Sequence, residues 1–315
     1  MEDARKQELA KQFIEITSEE CVTIDADMSQ HTSFKAGGKA DLLVAPQDYE
    51  GLKAALKLAA QSGERYYILG NGTNILVRDG GYKGIVIKTM DALKEIAVVD
   101  EEELVIAQAG ALLSKVAKTA AQHMLSGLEP VSGVPGSIGG AAYMNAGAYD
   151  GEMKDVITDV RLISRDGERE YTLSVDEMDY GYRHSVLYDT GDIVVSVMMK
   201  LKTDDPHKIF DRMNEYAERR NSKQPVDKPS AGSFFKRPTG YFAGKLIQDA
   251  GLKGLAVGDA QVSPLHSGFI VNNGNATATE IIDLMRIVQA RVKAEFGVDL
   301  EPEVRIIGTD LVDAE

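Results

Sequence analysis

The sequence has 315 residues, which exceeds the roughly 100 to 200 residues of a typical domain, so we expect two or three compact units. Hydrophobic residues make up 43% of it and charged residues 27%, a composition that excludes a disordered or fibrous chain. The net charge of -14 argues against a general nucleic-acid or anionic-membrane surface, and the single cysteine, Cys21, excludes an intramolecular disulfide and favours a reducing compartment.

The N-terminal segment, residues 1–20, is predicted to form an amphipathic helix. Leu9, Phe13 and Ile16 lie at helical spacing, and the segment lacks the continuous apolar core of a signal peptide. The apolar run at 193–199 is far shorter than the roughly 18 residues that a membrane span requires. We therefore expect a cytoplasmic protein that neither enters a membrane nor binds nucleic acid.

Residues 40–124 have the pattern of two successive α/β units, and a glycine-rich stretch at 132–151 follows them. The predicted elements are a strand at 41–45, a helix at 48–61, strands at 65–69, 84–87 and 104–108, and a helix at 112–124.

Strands dominate after residue 151. Asp166-Gly167 separates two predicted strands, 160–164 and 169–173, and the pair supplies the positive φ angles that a tight hairpin turn demands. A further strand is expected at 193–202, and Asp204-Asp205-Pro206 marks a domain boundary near residue 204. The last unit is predicted to contain helices at 207–221, 242–249 and 279–296 and a strand at 304–307.

Two glycine-rich loops are candidates for binding a phosphate group. The segment Gly70-Asn71-Gly72-Thr73-Asn74 directly follows a strand, where main-chain N–H groups can approach a pyrophosphate; a plain tight turn is the alternative. Ile75 stands where the dinucleotide fingerprint has its third glycine, which disfavours a Rossmann domain. A second loop, 132–140 followed by Asn145-Ala146-Gly147, suggests that both loops hold one extended ligand.

A local excess of positive charge lies between Lys208 and Arg237, where eight basic residues face four acidic ones. Such an island suits a diphosphate, although helix 207–221 could equally be a solvated face. The loop 228–238 also places Ser233 beside a glycine and two phenylalanines. A nucleophile elbow, a paired-histidine zinc motif and a P-loop are all missing from the sequence, so acyl transfer, zinc chemistry and kinase chemistry have no support.

Several segments together resemble one family, UDP-N-acetylenolpyruvoylglucosamine reductase. The resemblance spans roughly residues 30 to 308, and the order and spacing of its segments are specific. The segments are Thr32 to Gly38, Leu69 to Asn74, Gly133 to Gly140 with Asn145-Ala146-Gly147, Tyr182 to Ser185, Ser230 to Phe235, and Leu300 to Arg305.

The resemblance implies an α+β architecture: an FAD-binding fold of the vanillyl-alcohol-oxidase type in two subdomains, with a C-terminal α+β substrate-binding domain. The expected division is an N-terminal helix at 1–25, FAD-binding subdomains at 26–90 and 91–203, and a substrate-binding domain at 204–315. FAD is expected to bind noncovalently, because the loop 70–74 has no histidine, and NADPH is the expected electron donor. The implied FAD-binding residues are Gly70, Asn71, Gly72, Thr73, Asn74, Ile75, Gly136, Ser137, Gly139, Gly140 and Gly147.

The implied reaction is reduction of the enolpyruvyl double bond of UDP-N-acetylglucosamine enolpyruvate to UDP-N-acetylmuramate, in peptidoglycan precursor synthesis. Arg183 matches the family's catalytic arginine, Ser233 its proton donor and Glu303 its catalytic glutamate. The short spacing from Arg183 to Ser233 resembles the subtype without an inserted tyrosine-bearing loop, so Tyr149 is expected to act as a lid residue. The implied substrate contacts are Tyr149, Tyr182, Arg219, Lys223, Lys236, Arg237 and His266.

Two other functions compete with this interpretation. A related flavin oxidase or dehydrogenase would keep the glycine loops and lose Ser233 and Glu303, both of which are present. A nucleotide-sugar binding protein without turnover would keep the scaffold and purify colourless.

Overall fold

The computed structural model describes residues 1–311. The chain divides into two compact units: residues 1–24, 42–71 and 84–219 form the first, and residues 25–41, 72–83 and those from Arg220 onward form the second.

The helices, in chain order, are α1 (Asp3–Ile16), α2 (Tyr49–Gln61), α3 (Leu113–Gln122), α4 (Ile138–Tyr143), α5 (Leu187–Thr190), α6 (Pro206–Lys223), α7 (Ala243–Asp249) and α8 (Ala278–Phe296). The strands are β1 (Val22–Asp27), β2 (Lys39–Val44), β3 (Tyr66–Leu69), β4 (Ile75–Val77), β5 (Tyr82–Lys88), β6 (Ile96–Val99), β7 (Leu104–Gln108), β8 (Leu125–Ser126), β9 (Gly147–Ala148), β10 (Gly151–Glu152), β11 (Ile157–Ile163), β12 (Glu170–Ser174), β13 (Ile193–Lys200), β14 (Lys202–Thr203), β15 (Ala256–Val257), β16 (Ala260–Val262), β17 (Ile270–Asn272) and β18 (Arg305–Ile307).

The first unit contains a five-stranded antiparallel sheet with the strand order β12-β11-β13-β7-β6. In the register of its centre, Val160 of β11 lies opposite Val197 of β13, and both side chains are fully buried. The short helix α4 packs against β13. The sheet therefore provides a rigid base for the loop that precedes α4.

Helix α2 shows how local sequence fixes an element boundary. The Asp48 carboxylate accepts a hydrogen bond from the Gly51 N–H at 2.8 Å and so caps the first turn. Leu52, Ala55 and Leu56 recur on one face and are fully buried, which is the spacing of an amphipathic helix. A four-stranded sheet with the order β1-β2-β5-β3 includes the strand that ends at the first glycine loop, β3.

The second unit is built on α8. Helix α8 packs against β15, β16 and α7, and its buried face includes Ile281, Leu284 and Val288. The carboxylate of Asp79 accepts hydrogen bonds from the N–H groups of Ala278 and Thr279 at 2.9 and 2.7 Å. These bonds satisfy donors that a helix N-terminus leaves unpaired, so they join α8 to the segment after β4.

Most helices and strands predicted from the sequence are confirmed to within a few residues, but the positive φ angles predicted for both Asp166 and Gly167 are found at only one of them. Only Gly167 has a positive φ, +74°, and the connection closes at Ser164 and Arg169. Asp166 instead accepts hydrogen bonds from the Ser164 hydroxyl and the Glu168 N–H. The strands β1, β4, β6, β8, β9, β10, β15, β16 and β17 were not predicted.

Within residues 1–311, none of the helices is long and apolar enough to cross a membrane. The same residues contain no group of three or more histidine, cysteine, aspartate or glutamate side chains suited to hold a metal ion.

Glu129 is the main buried carboxylate of a polar network in the first unit. It receives hydrogen bonds from the Gly127 N–H at 2.6 Å, the Ser126 hydroxyl at 2.8 Å and the Arg212 guanidinium at 2.7 Å. Burial alone would raise the pKa of Glu129, but these donors outweigh it and hold the pKa below its ordinary value. Arg212, a member of the predicted basic island, is thus a structural residue, because it also binds Asp204 at 2.7 Å.

Glu129→Gln is expected to lower the free energy of unfolding at pH 7 by about 1–3 kcal/mol, because the variant loses the charged acceptor of this network. Since the folded pKa lies below the unfolded one, Glu129 stabilises the fold above its unfolded pKa and this contribution disappears as pH falls through the folded pKa. Urea unfolding of both proteins at neutral and strongly acid pH measures the difference. The exposed control Glu101→Gln should leave the free energy of unfolding unchanged. If Glu129→Gln destabilised the protein as much at acid pH as at neutral pH, the role of the Glu129 charge would be contradicted.

Candidate active site

The two glycine-rich loops are in contact in the first unit. The Asn71 side-chain amide donates a hydrogen bond to the Pro135 carbonyl at 2.5 Å. A Cβ atom at Gly70 would lie 2.6 Å from the Ser137 hydroxyl, which caps α4 by accepting from the Gly140 N–H at 3.3 Å. The two loops therefore adjoin and form a cradle, in which the lack of a side chain at Gly70 leaves room for the Ser137 hydroxyl.

Gly139 and Gly147, also predicted to bind FAD, have structural contacts. A Cβ atom at Gly139 would lie 2.7 Å from the Cβ of Ala109, so this glycine allows α4 to approach the end of β7. Gly147 begins β9, and a Cβ there would lie 2.8 Å from the Glu152 side chain. Gly136 is half-buried, immediately before the capping serine.

The end of the first loop lies in the second unit. Gly72 has a φ of +67°, and a Cβ atom there would lie 2.1 Å from the His31 carbonyl oxygen. Thr73 is half-buried, and Ile75 begins β4 opposite Arg305 of β18. The Asn74 side-chain amide donates to the Glu303 carbonyl at 3.1 Å, so this loop is bound to the segment of the predicted catalytic glutamate.

Ser233 and Glu303 lie on neighbouring segments of the second unit. The main chain of Phe234 links them: its N–H donates to Gly268 at 2.8 Å, and its carbonyl accepts from the Glu303 N–H at 2.8 Å. Phe234 itself is fully buried. Ser233 is exposed and Glu303 half-buried, so a hydroxyl and a carboxylate from distant parts of the sequence lie on adjoining backbone.

His266 lies on the other side of the Ser233 segment. Its Nδ1 accepts a hydrogen bond from the Gly268 N–H at 3.1 Å, which leaves Nε2 as the protonated nitrogen of the neutral ring. Burial lowers the pKa of His266, and the ring packs edge-on against Phe269 with centroids 5.0 Å apart. At neutral pH His266 is therefore an uncharged N–H donor.

Arg183 is at the tip of a small hairpin in the first unit. Gly181 and His184 exchange hydrogen bonds of 3.2 and 3.3 Å, and Tyr182 and Arg183 form the turn between them. The Arg183 guanidinium donates to the Gly147 carbonyl at 2.9 Å. The Arg183 guanidinium also lies 5.0 Å from the centroid of the exposed Tyr182 ring.

Tyr149 is part of an aromatic and cationic stack. Its ring stacks on Tyr216 with centroids 4.9 Å apart, and the Arg219 guanidinium lies 4.9 Å from the Tyr149 ring centroid. Tyr149 has a φ of +50°, which is unusual for a residue with a large side chain. A cation over two rings is attracted by their negative faces, so the three side chains form one surface.

The remaining predicted substrate contacts have different surroundings. Lys236 forms an ion pair with Glu301 at 2.5 Å, and the Arg237 guanidinium lies 3.9 Å from the centroid of the exposed Phe242 ring. Lys223 is exposed at the last residue of α6. Ion pairs thus neutralise part of the positive charge of the predicted basic island.

Asn145 and Ser185 were not predicted as site residues, and both are fully buried close to Arg183. The Asn145 side chain donates to the Gly181 carbonyl at 3.0 Å, and the Ser185 hydroxyl donates to the Tyr143 carbonyl at 2.5 Å. Both residues lie within the segments that carried the family resemblance, which was the only available signal.

Comparison with known protein families supports these assignments of fold and cofactor. A family model described as an FAD binding domain matches residues 40–172, and one described as the UDP-N-acetylenolpyruvoylglucosamine reductase C-terminal domain matches residues 224–307. The UDP-N-acetylenolpyruvoylglucosamine reductase of Clostridium tetani is 49% identical over 298 residues, which cover 95% of this chain and 96% of that protein.

Solved structures agree. The crystal structure of UDP-N-acetylenolpyruvylglucosamine reductase from Thermus caldophilus matches with a TM-score of 0.74 and 37% identity, over 90% of this chain and 97% of that one. A 4-ethylphenol oxidase from Gulosibacter chungangensis shares the fold alone, with a TM-score of 0.51 and 12% identity over 65% of this chain and 44% of that one. The predicted fold class, an FAD-binding fold of the vanillyl-alcohol-oxidase type with a further C-terminal α+β domain, is confirmed. The chain belongs to the UDP-N-acetylenolpyruvoylglucosamine reductase family.

Proposed function

We propose that Arg183, Ser233 and Glu303 are the residues with which this FAD-dependent oxidoreductase performs its family's reaction. That reaction reduces the enolpyruvyl double bond of UDP-N-acetylglucosamine enolpyruvate to UDP-N-acetylmuramate, with electrons from NADPH. The observation that carries the proposal is the hydrogen bond from the Glu303 N–H to the Phe234 carbonyl, because it joins the segments of Ser233 and Glu303.

Arg183 is assigned to the substrate carboxylate. A guanidinium is permanently charged and planar, so it can hold a carboxylate through two parallel hydrogen bonds. As hydride adds to the vinyl carbon, negative charge develops on the adjacent carbon and its carboxylate. A fixed cation at that place stabilises the transition state more than the ground state, which is the condition for raising kcat.

Ser233 is assigned as the proton donor to the carbon beside the carboxylate. A hydroxyl is a weak acid, but the enolic species it would protonate is a strong base, so transfer is favourable. Glu303 supplies a carboxylate on the adjoining segment. Hydride and proton together saturate the double bond, and Ser233 must recover its proton before the next turnover.

FAD, when bound, supplies the hydride that it has received from NADPH. The chain's part is to hold the pyrophosphate of FAD. The contact between Gly70 and Ser137 fits that task, because Gly70 has no side chain to keep a phosphate away from the main chain. The proposed FAD-binding residues are those predicted from sequence, of which Gly70, Asn71, Gly136, Ser137 and Gly140 lie along the cradle of the first unit.

The other predicted contacts are proposed to bind the nucleotide-sugar part of the substrate. His266 can offer its Nε2–H to a neutral oxygen, whereas Arg219 and Lys223 are suited to a diphosphate. Lys236 would exchange its ion pair with Glu301 for a substrate phosphate. Tyr149 and Tyr182 are proposed as ring contacts, with Tyr149 as the lid residue.

The functional division proposed is an N-terminal helix at 1–25, FAD-binding subdomains at 26–90 and 91–203, and a substrate-binding domain at 204–315. The cytoplasm is the proposed compartment, because a single cysteine suits a reducing environment.

Ser233→Ala is expected to keep bound flavin and normal flavin reduction by NADPH, while oxidation of the reduced flavin by the enolpyruvyl substrate slows by roughly 10²- to 10⁴-fold. Stopped-flow absorbance measures the two half-reactions separately. Thr239→Ala, which removes an exposed hydroxyl from the same loop, is the matched control and should leave both rates unchanged. Unimpaired oxidation in Ser233→Ala would remove Ser233 from the mechanism.

Gly72→Ala is expected to weaken retention of FAD. Both Gly72 and the control Gly240 have positive φ, +67° and +79°, so alanine at either costs about 1–2 kcal/mol of backbone strain. Only at Gly72 does the added Cβ also meet main chain, at 2.1 Å, whereas the space around Gly240 is open.

The flavin-to-protein absorbance ratio after dilution and filtration measures this retention. Each 1.4 kcal/mol of loop distortion weakens binding about tenfold. Equal flavin content in the Gly72→Ala and Gly240→Ala variants would show that the loop at Gly72 does not hold FAD.

A further inference from the structure

We propose that Asn145 is a positioning residue for Arg183, and that its buried side-chain amide sets the place of the guanidinium during reduction of the substrate. The proposal rests on the proposed function of Arg183. Asn145 does not itself contact the guanidinium through its side chain; it holds the hairpin that carries it.

The Arg183 hairpin is a strained structure. Arg183 has a φ of +53°, in the left-handed region, which costs about 1–2 kcal/mol for a residue with a side chain. The two bonds between Gly181 and His184 close the turn from within. A two-residue turn in this conformation persists only where surrounding contacts fix it.

Asn145 supplies such contacts. Its Nδ2 donates to the Gly181 carbonyl at 3.0 Å and to the Glu152 carboxylate at 3.1 Å, and its Oδ1 accepts from the Lys154 N–H at 3.0 Å. The side chain is fully buried, so these bonds have little competition from water. One amide thus joins the base of the hairpin to the segment 152–154.

The guanidinium of Arg183 also contacts the main chain at and next to Asn145. Arg183 donates to the carbonyl of Gly147 at 2.9 Å and more weakly to that of Asn145 at 3.5 Å. The main chain of 145–147 therefore fixes the tip of the arginine, while the Asn145 amide fixes its base. A shift of Asn145 would move both.

The backbone at Asn145 explains why asparagine suits this position. Its φ is +48°, and asparagine is one of the residue types that adopt this region most readily. Glycine adopts it without strain, so Asn145→Gly removes the amide and leaves the backbone conformation accessible. The buried Ser185 hydroxyl still binds the Tyr143 carbonyl at 2.5 Å, so the hairpin keeps one anchor in this variant.

Asn145→Gly is expected to slow oxidation of the reduced flavin by saturating enolpyruvyl substrate on the order of 100-fold, because a misplacement of about 1 Å has an effect of that size. Flavin reduction by NADPH should stay within about twofold of the wild-type rate, since transition-state contacts of Arg183 matter only in the other half-reaction. Val160→Ala, a cavity variant in β11, controls for lost stability and should leave both half-reactions unchanged.

A double-mutant cycle with Arg183→Ala separates positioning from a general structural role. If Asn145 acts through Arg183, then Asn145→Gly adds nothing to the slowing already caused by Arg183→Ala. Independent effects that multiply would overturn the proposal. A normal oxidation rate in Arg183→Ala itself would instead refute the proposed function of Arg183, so the two failures are distinguishable.

Asn145→Asp provides a pH signature. The variant places a carboxylate beside Glu152, in a region that also holds Lys154, Asp155 and Arg183. The negative charge of Glu152 raises the pKa of the introduced carboxyl above its usual value of about 3.9. Protonated, it can again donate one hydrogen bond, so oxidation of the flavin should quicken relative to wild type as pH falls. A ratio to wild type that does not change with pH would contradict the role of the amide donors.

Discussion

The two main-chain hydrogen bonds of Phe234 are the contacts on which the proposed catalytic part of the second unit depends. One bond holds the 266–269 loop and the other holds Glu303. The buried Phe234 therefore keeps the segments of Ser233, His266 and Glu303 next to one another. Asn74 extends the arrangement, because its amide and carbonyl both bind the 303–305 segment. A hydroxyl, a neutral imidazole and a carboxylate are thereby positioned by backbone, which is stiffer than side-chain packing alone.

Strained backbone recurs in the first unit near Tyr149 and Tyr182, two of the predicted substrate contacts. Asn145, Tyr149, Asp150 and Arg183 all have φ between +48° and +65°. Buried polar side chains balance this strain, since fully satisfied networks in a low-dielectric interior fix one conformation. The same contacts give Arg183 a defined direction without burying it, as its proposed contact with a charged substrate requires.

Elements with a strong periodic pattern could be predicted from sequence, and weakly patterned ones could not. Helices α2 and α8 follow from their apolar spacing and caps, whereas β4 has three residues and pairs with Arg305–Ile307 far along the chain. Ser233 stood out from its place beside a glycine and two phenylalanines, but Arg183 and Glu303 became candidates only through resemblance, because an arginine and a glutamate have ordinary surface roles. Asn145 was missed for the same reason: a satisfied buried amide leaves no trace in composition or spacing.

This protein passes electrons from NADPH through bound FAD to an enolpyruvyl nucleotide sugar. The visible spectrum of the purified protein during one anaerobic cycle tests this electron path. We expect a yellow protein whose flavin absorbance bleaches with NADPH and returns when UDP-N-acetylglucosamine enolpyruvate is added, with one UDP-N-acetylmuramate formed per flavin reoxidised. A colourless protein, or a bleached flavin that the enolpyruvyl substrate fails to reoxidise, would contradict it.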